Sequence, residues 1–173
     1  RCRLVGSEMC IRDRSTLVAF AEDCIDIKNR LIENKWLARL KEGEPLAYVT
    51  EYSEFFGLDF NVNADVLIPR PETEELVQWI LDDYNDEDTQ RVLDIGTGSG
   101  CIPIAIAHNR PNWVVTALDI SEAALNMAKA NAIKNNVNVR FHLLDIINEP
   151  LQNEYDIIVS NPPYIITSEK DLM

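Results

Sequence analysis

The sequence predicts an α/β protein: a parallel sheet preceded by a partial helical segment and a β-hairpin. From Arg91 onward, short apolar runs alternate with helical stretches. Strands are expected at Val92 to Ile95, Val114 to Ile120, Val139 to Asp145 and Tyr155 to Ser160, with helices at Cys101 to His108 and Ser121 to Asn135. Such alternation calls for a parallel sheet covered on both faces, with ligands in the crevice at the strand C-terminal ends. A glycine-rich turn, Gly96 to Gly100, sits between the first of these strands and its helix. With 173 residues, 46% of them hydrophobic and 26% charged, the chain has the composition of one globular domain with a small appendage, which excludes disordered and collagen-like classes.

Taken in order, residues 1 to 14 carry Arg1, Arg3, Arg12 and Arg14 and follow neither a helical nor a strand period. The stretch resembles translated sequencing-adapter sequence and is expected to lie outside the native protein; a basic arm is the alternative. Residues 15 to 46 are expected to be the remnant of a helical domain. Leu17, Phe20, Cys24, Ile27 and Leu31 recur at steps of three and four, and Gly43 and Pro45 end the pattern. Residues 47 to 66, rich in Tyr, Phe and Val around Gly57, read as a linking hairpin. Residues 67 to 173 form the main domain. It opens with a helix over Glu72 to Asp83 that has Pro71 at its start, and Ser121 is placed to cap a later one.

Lys plus Arg is 16 against 29 for Asp plus Glu, a net charge of −13. That field repels phosphate backbones, so no direct nucleic-acid partner is expected. No apolar run approaches the roughly 20 residues needed to cross a bilayer, and no secretory signal is evident, so the chain is expected in the cytoplasm, away from membranes and as a monomer. Cys2, Cys10, Cys24 and Cys101 fit neither a zinc knuckle nor a redox pair, and no metal is expected. Neither His108 nor His142 is given a catalytic role.

Four strand ends carry the chemistry. In Asp94-Ile95-Gly96-Thr97-Gly98-Ser99-Gly100, glycines at alternate positions let the backbone bend sharply and let a ligand sit against main-chain N–H groups. A dinucleotide fingerprint needs its third glycine where this chain has Cys101. Asp119 closes the next strand, where a carboxylate can accept from both hydroxyls of a ribose or cap the following helix. Asp145 and Ile146 follow the third strand, placed to accept from an adenine amino group and to pack on its ring. Finally, Asn161-Pro162-Pro163-Tyr164 follows the fourth strand. The prolines stiffen this loop. The Asn161 side-chain oxygen and the Pro162 carbonyl can accept from a planar NH₂ group while Tyr164 stacks on its plane.

These motifs together resemble a class I S-adenosylmethionine-dependent methyltransferase acting on planar NH₂ nitrogens. More narrowly, Gly43-Glu44-Pro45-Leu46-Ala47-Tyr48 and Leu67-Ile68-Pro69-Arg70-Pro71-Glu72-Thr73-Glu74 are similar to the PrmC/HemK family of protein-(glutamine-N5) methyltransferases of peptide-chain release factors. The resemblance covers Trp36 to the end. It implies a Rossmann-like methyltransferase sheet, incomplete at the C-terminus, and truncation at both ends.

It also implies roles by position. Gly96, Thr97, Gly98, Ser99 and Gly100 would contact the methionine and ribose parts of S-adenosylmethionine, and Asp119 the ribose hydroxyls. Asp145, Ile146 and Asn161 would complete the cofactor site; relatives often carry an aromatic residue where this chain has Ile146. Asn161, Pro162, Pro163 and Tyr164 would bind the substrate glutamine, with Asn161 and Pro162 as the catalytic acceptors. The implied reaction is methyl transfer to the glutamine amide of a release factor's Gly-Gly-Gln loop. The alternatives are an N6-adenine or other amino-group nucleic-acid methyltransferase, which would want a basic face, and an inactive methyltransferase fragment.

Overall fold

The computed structural model describes residues 27–84, 88–151 and 153–162, with residues 27–33 described by backbone alone. It divides into two compact units, residues 1–49 and 50–173. In the first unit, helix α1 (Ile27–Lys41) ends at Gly43, whose φ of +89° suits only a residue without a side chain, and a short helix α2 (Leu46–Thr50) follows. The start of the expected hairpin segment is therefore helical. Pro45 sets the first turn of α2, where the Pro45 carbonyl accepts from the N–H groups of Tyr48 and Val49. The Arg39 guanidinium grips the Glu44 carboxylate through Nε at 2.6 Å and Nη2 at 2.5 Å, and Nη2 also donates to the Tyr48 carbonyl at 3.1 Å. These bonds hold the Glu44 carboxyl below its ordinary value.

The second unit begins with a hairpin, β1 (Tyr52–Phe55) and β2 (Leu58–Asn61), in the register Tyr52↔Asn61 to Phe55↔Leu58. Its two-residue turn places both Phe56 (φ +52°) and Gly57 (φ +72°) in the left-handed region, the geometry that matches the twist of paired strands. Phe55 and Phe60 are buried and meet edge to face at 6.1 Å. Helix α3 (Pro71–Asp83) starts with proline at its first turn, carries Glu72 and Glu74 near its positive end, and buries Val77, Ile80 and Leu81. Glu74 Oε1 accepts from the Phe56 N–H at 2.8 Å and so ties the hairpin turn to the start of α3.

The remaining elements are β3 (Arg91–Ile95), α4 (Cys101–Asn109), β4 (Val114–Asp119), α5 (Glu122–Lys134), β5 (Arg140–Leu143) and β6 (Ile157–Ser160). The strands form one parallel sheet in the order β5-β4-β3-β6. The chain thus builds outward from β3 in one direction and then returns to its other side. This reversal opens a crevice at the C-terminal ends of β3 and β6.

One face of the sheet, carrying Val92, Val115, Ile157 and Val159, packs on α3 and on the apolar helix α4, whose Ile102 to Ala107 are all buried. Ser121 caps α5 as expected, its Oγ accepting from the Ala124 N–H at 3.2 Å. Coverage of both faces holds for the central strands β3 and β4 but not for the outer ones. Ile158 of β6 is 59% exposed, and most of β5 faces solvent. Among the described residues no helix follows either strand.

The third strand is also shorter than the sequence pattern suggests. Asp145 starts a turn, its carboxylate accepting from the Ile147 N–H and from Asn148 Nδ2 and its carbonyl from the Asn148 and Glu149 N–H groups. An Asp offering its own backbone these bonds draws the chain out of the ladder.

Candidate functional site

At the switch point lies a small, solvent-open cleft. Its walls come from four places: Gly96 to Ser99 of the glycine loop, Cys101 and Ile102 at the start of α4, Asn161 after β6, and, last, Leu67 to Arg70 with Thr73 at the start of α3. The last group was not assigned to the site from sequence. The Pro-Arg-Pro run is its only local signal, since proline fixes an extended entry to the helix and so aims that segment at the sheet edge.

The glycine loop is left-handed at Gly96 (φ +74°), Gly98 (φ +56°) and Gly100 (φ +81°). Gly96 and Gly98 have no heavy atom within 4 Å of where a Cβ would stand, so their need for glycine is conformational. At Gly100 there is also no room. A Cβ would meet Ala128 Cβ and Ile104 Cδ1, each at 3.0 Å, where α5 presses on the start of α4. Gly100→Ala should therefore lower stability by about 2 kcal/mol through left-handed strain and overpacking. Urea denaturation checks it, and an unmoved midpoint would mean that α5 yields freely.

Asp119 supports this loop directly. One carboxylate oxygen accepts from the Gly98 N–H at 2.8 Å, and the other from the Ser121 N–H at 2.9 Å. Each oxygen retains a lone pair, so the same carboxylate can also take hydroxyl donors. Asn131 of α5, absent from the sequence reading, is fully buried and does more of this work. Its Oδ1 accepts from the Asn61 N–H at 2.8 Å, and its Nδ2 donates to the carbonyls of Asn61 at 3.0 Å and Ser99 at 2.9 Å. One side chain therefore joins the hairpin end to the glycine loop. Nothing in its Ala-rich helical context distinguishes it from a surface asparagine.

Beneath the loop, Asp94 is 1% exposed and neither carboxylate oxygen has a hydrogen-bond partner; the buried Thr97 hydroxyl also lacks one. Burial pushes the Asp94 carboxyl up to about 7, partly offset by the nearby Thr97 hydroxyl and reinforced by the charge of Asp119. Burial likewise pushes the Cys101 thiol up to about 12, which leaves it inert as a nucleophile at neutral pH. Thr97 lines the cleft and Asp94 does not, but an unpartnered carboxylate beneath a loop that does line it favours a ligand that brings a cation and hydrogen-bond donors.

Of the residues predicted from sequence, the cleft brings together Gly96, Thr97, Gly98, Ser99 and Asn161. Gly100 lies behind the loop against α5, and Asp119 reaches the cleft through Gly98. Asp145 and Ile146 stand beyond β5, the far edge of the sheet from Asn161, and do not line the cleft. In contrast, Ile120, which was given no role, is 71% exposed directly after Asp119, free to cover an aromatic ring. Pro162 follows Asn161 at the surface, and Pro163 and Tyr164 lie outside the described residues. No cluster of metal-ligating side chains occurs among the described residues, and none of their helices is long and apolar enough to cross a membrane.

The sequence profile of the methyltransferase small domain family matches residues 73–173. The chain belongs to that family. Among curated relatives, it is 49% identical over 138 residues to the release factor glutamine methyltransferase of Flavobacterium psychrophilum, covering 78% of this chain and 48% of that protein. It is 42% identical over 161 residues to the release factor glutamine methyltransferase of Koribacter versatilis, covering 92% of this chain and 57% of that protein. The chain thus spans about half the length of the curated relatives it matches.

Two solved structures share its fold. The human methyltransferase 10 domain containing protein aligns with a TM-score of 0.54 at 23% identity, over 80% of this chain and 64% of that one. The Pyrococcus abyssi tRNA (uracil-54, C5)-methyltransferase, in complex with S-adenosyl-L-homocysteine, aligns with a TM-score of 0.53 at 22% identity, over 65% and 28%. The Rossmann-like methyltransferase sheet expected from the sequence is the fold this family member has.

Proposed function

We propose that this chain transfers the methyl group of S-adenosylmethionine to the side-chain amide nitrogen of a glutamine in the Gly-Gly-Gln loop of a peptide-chain release factor. The observation that carries this reading is the shared cleft. Asn161, an acceptor for a planar NH₂, faces the same space as a glycine loop underlain by an orphan carboxylate. The near relatives, named as release factor glutamine methyltransferases, support the choice of substrate.

When bound, S-adenosylmethionine supplies an electrophilic methyl on a sulfonium. Asp94 and Thr97 fit its ammonium group, the Gly96 to Ser99 backbone its methionine portion, and Asp119 its ribose hydroxyls. Ile120 is better placed than Ile146 to cover its adenine. Asn161 Oδ1 and the Pro162 carbonyl accept from the two N–H groups of the substrate amide, which orients the nitrogen lone pair toward the methyl. Held in this way, the amide nitrogen would be placed to take up the methyl group that the bound cofactor supplies, with Asn161 and Pro162 positioned to accept as its N–H groups become more acidic. Alignment of this kind is worth about 7–11 kcal/mol in favourable cases, enough to explain how a neutral amide without a covalent intermediate reacts.

The test is transfer of isotope-labelled methyl from S-adenosylmethionine to a purified release factor, with its Gly-Gly-Gln glutamine intact or replaced by alanine, and to an adenine-containing oligonucleotide. Labelling of the intact factor alone is expected. Labelling of the oligonucleotide instead would move the chain to the amino-group nucleic-acid methyltransferases, against its net charge of −13.

A further inference from the structure

The amide of Asn161 is nearly symmetric in shape, and only its surroundings decide which end is the oxygen. With the oxygen toward the substrate, the site accepts from an NH₂ group. Turned over, it presents a second donor to a donor and repels it. The group that holds the amide in place lies on α3. Asn161 Nδ2 donates to the Thr73 hydroxyl at 3.0 Å, and Thr73 is only 7% exposed.

The position of that hydroxyl is itself fixed. The Thr73 N–H donates to the Arg70 carbonyl at 2.9 Å in the first turn of α3, Pro71 presets that turn, and neighbouring Glu74 is held by the Phe56 N–H at 2.8 Å. Asn161 is held from its own side as well, because the preceding Ser160 donates its hydroxyl to the Ile95 carbonyl at 2.8 Å at the end of β6. The Thr73 hydroxyl can accept from Nδ2 or donate to Oδ1, so what it fixes is the place of the side chain, and the bond made here, from Nδ2, leaves Oδ1 to the cleft.

We propose that Thr73 is a positioning residue, holding the Asn161 side chain at the cleft wall through Nδ2 so that Oδ1 is left to the substrate. It acts through Asn161, and the inference rests on the glutamine-amide reading of the cleft. A single neutral hydrogen bond of this kind, when lost, corresponds to roughly a 3- to 10-fold effect.

The experiment measures steady-state methyl transfer to a release factor by the full chain and its Thr73→Val, Thr73→Ser, Thr73→Ala and Asn161→Ala variants, together with the Thr73→Val/Asn161→Ala double variant. Thr73→Val should lower kcat by about 3- to 10-fold, with the dissociation constant for S-adenosylmethionine and the melting temperature little changed. Thr73→Ser should restore kcat, and Thr73→Ala, which removes the hydroxyl without added branching, should match Thr73→Val. In the Asn161→Ala background, Thr73→Val should cost nothing further. If Asn161→Ala is itself as active as the parent, the reading of the cleft fails. If Asn161→Ala is inactive while the valine and alanine variants run at the parent rate, or the serine variant is as slow as they are, the positioning role is overturned and the reading of the cleft stands.

Discussion

Replacing Asn161 by alanine is expected to slow methyl transfer by about 10²–10³-fold, the usual consequence of deleting one preorganised polar group aimed at a reacting centre. Affinity for S-adenosylmethionine should change by no more than a few-fold. The two effects separate because the cleft has two sides. On the proposed reading the cofactor-facing side is the glycine loop, held by Asp119 at Gly98 and by Asn131 at Ser99, and none of these bonds passes through Asn161. The proposed substrate-facing side is Asn161 itself, at the end of the strand that pairs Ser160 with Ile95. Single-turnover transfer alongside calorimetric titration of the cofactor would check this. A variant that transfers at the parent rate would place the amide acceptor elsewhere, whereas loss of cofactor affinity together with rate would assign Asn161 to the cofactor instead.

The elements legible in the sequence were those whose cause is local. The alternation from β3 to α5 is written in apolar period and in glycine placement, and Ser121 announces its cap. The hairpin turn follows from Gly57 beside aromatic strands. What the sequence concealed was decided by partners far away along the chain. Asn131 looks like any helix asparagine until β2 and the glycine loop meet it, across 70 and 32 residues respectively. Thr73 sits in a run of Pro and Glu that reads as a helix start, and its contact with Asn161 spans 88 residues.

Asp145 failed in the opposite way. Its apolar neighbours Leu143, Leu144 and Ile146 continue a strand pattern, but the carboxylate's bonds to Ile147 and Asn148 draw the backbone into a turn first. These bonds also hold the Asp145 carboxyl below its ordinary value, Asn148 contributing most. Local periodicity thus located the sheet, and the strand order placed Asn161 opposite the glycine loop. The residues that orient the loop and the amide became visible only when the fold brought their partners to them.

Without cofactor, the protein is expected to lose stability as pH rises from about 4 to about 7, and Asp94→Asn should abolish most of that loss. Buried among apolar groups, Asp94 titrates near 7 when folded, whereas an exposed aspartate titrates near 3.9. Between those two values the folded chain binds a proton that the unfolded chain has released, so raising the pH favours unfolding. The full window of about three units corresponds to on the order of 4 kcal/mol. The direction is opposite to that of Asp156, whose carboxylate accepts from the Arg91 N–H at 2.8 Å and is lowered chiefly by it; such a group adds stability above the unfolded value and loses it in acid. At pH 8, therefore, the Asp94→Asn chain without cofactor should melt higher than the parent, and near pH 4 the two should coincide. Urea denaturation across pH 4 to 8 measures this, and an equal slope in both chains would remove Asp94 as its source. The same substitution should weaken S-adenosylmethionine binding, because the asparagine offers no charge to the ammonium group. On this reading Asp94 lowers the stability of the empty fold and raises affinity for a cationic ligand, the trade expected of an unpaired carboxylate in β3 just before the glycine loop.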